Sequence, residues 1–140
     1  MTVKFKTVTM KKLFFILPAI LVLSAFQQPK SLKGTWQFVG GIYNGKIDSG
    51  TNEYRLRRKY DAVHFDAFII EPKEKPIKYQ SGDYTLLGDT CLETETFSTQ
   101  PSNLTGKTIH YHIKLSNDTL TFSGKLPSGM QVEEYWKKVK

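Results

Sequence analysis

Two glutamates stand two residues apart in the stretch Cys91-Leu92-Glu93-Thr94-Glu95. On a strand such residues share a face, with backbones roughly 6.6 Å apart, and a carboxylate pair can act as acid and base. Exposed glutamates meet the same spacing, so the orientation of the strand matters more than the spacing. Cys91, Glu93, Glu95 and Phe97 fall on one face; Thr90, Leu92, Thr94 and Thr96 fall on the other. The pattern leaves both registers open. We work with the first, because Cys and Phe favour interiors. It places Glu93 inside, where a carboxylate needs a partner or a raised pKa. Glu93 would then orient a polar ligand group, pair with an interior Arg such as Arg58, or serve as an acid or base.

Other chemistry is sparse. His110 and His112 have a spacing that can hold a metal, with His64 or Asp66 as a third ligand. Their strand, however, alternates cleanly: Ile109, Tyr111, Ile113 and Leu115 face one way, which turns both histidines to water. Two histidines do not complete a zinc site, so neither metal nor cofactor is expected. Cys91 is the only cysteine; it cannot form an internal disulfide and reads as a small buried hydrophobe. There is no Gly-x-Ser-x-Gly elbow, glycine-rich phosphate loop or His-Glu-x-x-His pattern. An enzyme is therefore not the expectation.

The elements that position these residues are strands separated by turns at short intervals, the pattern of an all-β sandwich or barrel. Eight strands are expected, near Thr35–Tyr43, Glu53–Tyr60, Val63–Glu71, Lys78–Leu86, Thr90–Phe97, Lys107–Leu115, Thr119–Gly124 and Gln131–Lys138. Asn44-Gly45 is a hairpin signal closing the first, and the two prolines of Pro72–Pro76 mark a loop. On the third strand Val63, Phe65, Ala67 and Ile69 share a face. The connections suit an antiparallel up-and-down meander. Closing it into a barrel removes both bare edges and makes the first and last strands neighbours. Trp36 and Trp136 would then share one end of the core. Phe38, Phe65, Tyr84, Tyr111 and Phe122 fall on the inner faces, as a core or as the wall of a ligand cavity.

The chain has 140 residues, which suits one domain. Lys11 and Lys12 precede an uncharged apolar run from Leu13 to Phe26, the form of a secretory signal. The expected organisation is a signal over residues 1–28, with Met10 as an alternative start, and one barrel domain over 29–140. The run is short for a membrane span, so membrane contact would come only through an uncleaved leader. No cysteine stands just after the apolar run, so a lipid anchor of that kind is not expected. The net charge of +7 is concentrated there: Lys4, Lys6, Lys11, Lys12 and Lys30 lie in an acid-free first thirty residues, and the remainder carries +2. That excludes a basic nucleic-acid-binding class. The Arg55–Lys59 run reads as a solvated strand face.

Gly34-Thr35-Trp36 matches the Gly-x-Trp signature of lipocalins and their calycin relatives. The chain from there on resembles the small lipocalin-like domains of secreted bacterial proteins. His64-Phe65, the Gly82–Thr94 stretch and the ending Glu133–Lys140 match as well. The chain is shorter than a true lipocalin, and it lacks the usual disulfide and the helix before the last strand. The resemblance implies that the first Trp packs across a closed barrel end under a basic side chain, here Lys137 or Lys138. It also implies a periplasmic or secreted binding protein; Asn103 and Asn117, each in a eukaryotic glycosylation sequon, are discounted on that ground. The expected function is non-catalytic binding of a small apolar or amphipathic ligand by Trp36, Phe38, Phe65, Tyr84, Glu93, Tyr111, Phe122 and Trp136. The alternative is a filled barrel that meets a protein partner, or inhibits one, through loops such as Pro72–Pro76 and Ser98–Gly106. An enzyme built on Glu93 comes third.

Overall fold

Nine strands follow one another in the structure, a computed structural model that describes residues 30–140. The expected signal over residues 1–28 lies outside the described residues. The strands are β1 (Gly34–Tyr43), β2 (Lys46–Asp48), β3 (Arg55–Tyr60), β4 (His64–Ile70), β5 (Ile77–Leu87), β6 (Thr90–Ser98), β7 (Thr108–Ser116), β8 (Thr119–Lys125) and β9 (Gln131–Lys138). Eight of them, β1 and β3 to β9, form a closed antiparallel barrel in meander order. β9 returns to pair with β1 from Trp36↔Lys138 to Tyr43↔Val132. Closure leaves neither terminal strand bare.

The ninth strand departs from the expected eight. The Asn44-Gly45 turn forms, with both residues at positive φ (48° and 79°), as a two-residue hairpin of the primed type requires. It opens onto the short strand β2, which folds back on Gly41–Tyr43. The cause lies in β1, which pairs with β3 only over Gly34–Gln37. Beyond that point β1 bulges at Val39 and exchanges β3 for β2. The barrel wall therefore has a gap between Phe38 and Leu56.

Tight turns at 61–63, 88–89 and 117–118 gather at one end, with the chain entering at residue 30. The longer connections, 49–54, 71–76, 99–107 and 126–130, crown the other. We call these the closed and open ends. Asp61 fixes one closed-end turn: its Oδ1 accepts the backbone N–H groups of Val63 (2.9 Å) and His64 (2.7 Å), and these bonds hold its carboxyl below the usual range.

Two bulges redirect side chains. An extra residue at Tyr79 on β5, and another at Thr96 on β6, shift the ladders by one. The second matters for the sequence expectation. Cys91, Glu93 and Glu95 face inward, but past Thr96 the alternation breaks and Phe97 is 45% exposed at the rim. Val63 is also outside the expected inner row: it precedes β4, in the turn, and is 63% exposed. Inside, Gly82 is set by packing. A Cβ there would lie 2.2 Å from the Thr94 carbonyl oxygen and 2.9 Å from Phe65 Cε1, so the Phe65 ring lies where a side chain would go.

Candidate functional site

The closed end is a plug. Trp36 is 1% exposed, and its indole N–H donates to the Leu32 carbonyl at 2.8 Å. Lys138 Nζ lies 4.7 Å from the Trp36 ring centre and donates to the Lys33 carbonyl at 2.6 Å. Of the two lysines expected to cover this Trp, Lys138 does so, while Lys137 is exposed. Tyr84 belongs to this end too, its hydroxyl donating to the Asp61 carbonyl. Trp136 lies one layer further in. Its cross-strand partner is Phe38, met edge-on at 5.4 Å, so the two indoles occupy adjacent layers of one core.

Above the plug the interior becomes polar. The Arg55–Lys59 run splits by strand alternation: Arg55 and Lys59 are exposed, whereas Leu56, Arg58 and Tyr60 turn inward. The interior register of Glu93 holds. Arg58 is 9% exposed and Glu93 5%. Arg58 Nη1 donates to both Glu93 oxygens at 3.2 Å, and Tyr60 Oη donates to Glu93 Oε1 at 2.8 Å. Three aromatic rings flank the guanidinium carbon, Phe65 and Trp136 at 5.1 Å and Phe122 at 5.8 Å. Burial opposes the charge on Arg58, but Tyr60, Glu93 and Glu134 around it outweigh burial, and its pKa stands above the ordinary value. Burial, and then Glu93, push the Tyr60 phenol up. Tyr60 therefore stays protonated and acts as a donor.

Two further carboxylates join this tier. Glu95, 6% exposed, accepts from Gln80 Nε2 at 2.6 Å and Thr105 Oγ1 at 2.7 Å. Glu134 accepts from Tyr43 Oη at 3.0 Å and Trp136 Nε1 at 3.1 Å. The Arg58 Nε–H is buried and has no partner among the described residues. Tyr111 and Phe122 meet edge-on at 5.6 Å beside these groups, and burial followed by Glu93 raises the Tyr111 phenol.

All eight residues named from the sequence point inward; Phe38 and Tyr111 are half-buried and the others buried. They do not form one site: Trp36 and Tyr84 are closed-end structure, while Phe38, Phe65, Glu93, Tyr111, Phe122 and Trp136 surround the Arg58 tier. Tyr60, Gln80 and Glu134 were not singled out. Tyr60 and Glu134 had a signal, each lying two residues from an inner residue, Arg58 and Trp136. Gln80 had none, because the Tyr79 bulge sets its direction. The gap between β1 and β3 opens into a cavity of about 340 Å³, lined by Phe38, Leu56 and Tyr54 and by polar residues including Asp48 and Asn52. Tyr111's neighbours His110 and His112 are exposed. Among the described residues no three His, Cys, Asp or Glu side chains are placed to hold a metal.

No protein-family model matches the chain, and no curated protein matches it. Among solved structures it is similar to a lipocalin-like protein from Bacteroides uniformis ATCC 8492, with a TM-score of 0.55 and 16% identity over 77% of this chain and 98% of that one. A variant of the fluorescent protein UnaG is also matched, with a TM-score of 0.41 and 10% identity over 78% of this chain and 96% of that one. The chain has the lipocalin-like barrel fold.

Proposed function

We propose that this protein is an exported, non-catalytic binder of a small apolar or amphipathic ligand, taken up through the open end of the barrel. The observation that carries this reading is the Arg58–Glu93–Tyr60 tier. A barrel selected for stability alone gains by filling its centre with apolar groups, since a buried ion pair is at best neutral against them. Here an Arg, three carboxylates and several hydroxyls stand inside, and one buried donor has no acceptor among the described residues. Polar groups placed sparsely against aromatic walls are what small-ligand sites contain. The cavity at the β1–β3 gap has a suitable size and opens beside Phe38 and Leu56. Both Glu93 oxygens are engaged, which supports a structural or orienting role for it over acid–base work. Export rests on the leader in the sequence.

Native mass spectrometry of the purified protein, with a titration by the neutral apolar dye Nile red, tests the reading. A bound mass lost on denaturation, or saturable one-to-one dye fluorescence with quenching of tryptophan emission, is expected. If both are absent the reading fails. The filled barrel engaging a protein through the 71–76 and 99–107 loops then replaces it.

A further inference from the structure

Which polar group the ligand carries follows from the hydrogen bonds that the interior has already completed. Every carboxylate oxygen of the tier is occupied. Glu93 holds Arg58 and Tyr60, Glu95 holds Gln80 and Thr105, and Glu134 holds Tyr43 and Trp136. None needs a donor from outside. Among the described residues, the open valence is the buried Arg58 Nε–H, on a residue 9% exposed. A buried donor calls for an acceptor. The charge nearby is nonetheless negative, because Glu93 and Glu134 act on the guanidinium and Glu95 stands in the same tier behind Gln80. Glu93 already supplies the anion that Arg58 and Tyr60 would otherwise attract, and a second anion would enter against Glu93, Glu95 and Glu134 in a medium of low dielectric.

We infer that the interior selects a neutral hydrogen-bond acceptor, a carbonyl or hydroxyl oxygen on an apolar body, and rejects carboxylates such as fatty acids. An ammonium group is no better: the negative surroundings would favour its charge, but it offers only donors where the carboxylate oxygens are already engaged and the unpaired group is itself a donor. The apolar body would lie along Phe38 and Leu56 at the cavity. Leu56 is two residues from Arg58 on the same face of β3, and Phe38 packs on Trp136, whose ring lies over the guanidinium.

The inference rests on the ligand-binding reading, and one set of probes separates the two. Decanol, decanamide, decanoate and decylamine share a chain and differ in the head. Titrated against the purified protein by calorimetry at pH 7, the alcohol and amide are expected to bind about tenfold or more tightly than the acid or the amine. Glu134→Gln, which keeps an acceptor for Tyr43 and Trp136 while removing a charge, should narrow the gap between decanoate and decanamide. Glu93→Gln should do so further, by about tenfold. Decanoate or decylamine binding as tightly as decanamide to the unmodified protein overturns the inference and leaves ligand binding standing. Failure of all four to bind removes both.

Discussion

Removing one member of the Arg58–Glu93 pair should reveal how dry the barrel centre is. At 3.2 Å and an effective dielectric of about 20, the attraction is about 5 kcal/mol. Desolvation of the two charges costs several kcal/mol each, so the intact pair contributes little net stability. Breaking it is different. Arg58→Met leaves Glu93 buried without a counter-ion and should cost about 3–5 kcal/mol, lowering the melting temperature by roughly 12–20 °C for a domain of this size. Glu93→Gln keeps an acceptor for Tyr60 and should cost about 1–3 kcal/mol. In the double variant no unpaired carboxylate remains opposite position 58, and the methionine side chain packs against the rings of Phe65, Phe122 and Trp136. Its cost should not exceed that of Arg58→Met alone, which makes the coupling at least the cost of Glu93→Gln, about 1–3 kcal/mol. Urea unfolding of the four proteins at pH 7 measures this cycle. Costs that add to within about 0.5 kcal/mol would show the charges screened by water and would refute the account of a desolvated tier.

Three other outcomes follow from single contacts. Gly82→Ala places a methyl against Thr94 and Phe65 and should destabilise by about 1–3 kcal/mol in the same assay. Lys138→Met removes the cation over Trp36 and the donor to Lys33; a loss of about 1 kcal/mol and a shift of tryptophan emission are expected. His64 pairs with Asp83 and, more weakly, Asp66. The Asp83 hydrogen bond raises its pKa against a smaller opposing effect of burial. A raised folded-state pKa adds stability below the unfolded value of about 6.5 and loses it as pH rises through the folded one. An NMR titration should show His64 above the free value, and Asp83→Asn should lower it.

Strand alternation carried most of the fold into view. β7 reads from the sequence as it folds, because Ile109, Tyr111, Ile113 and Leu115 give a clean period of two. The Gly34-Thr35-Trp36 segment located the plug through its resemblance to the lipocalin signature, which implies an indole packed across a closed barrel end. Bulges were not legible. An extra residue at Val39, Tyr79 or Thr96 has no distinctive composition, so Phe97 was placed inside although it is exposed, and Gln80 was overlooked although it holds Glu95. Glu93 was placed inside on the company of Cys91 and Phe97, and only the first of these remains beside it. Its true partners, Arg58 and Tyr60, lie 35 and 33 residues away and meet it across the barrel. Sequence spacing therefore does not reveal that meeting.

The plug under Lys138 fixes an orientation for the whole molecule. The chain reaches β1 from residue 30 and leaves β9 at Lys138 on the same pole. A fusion partner, affinity handle or surface linkage joined directly at residue 30 or just after Lys138 therefore hangs from that pole. The opposite rim, with the 340 Å³ cavity, stays clear of the attachment and faces the solution.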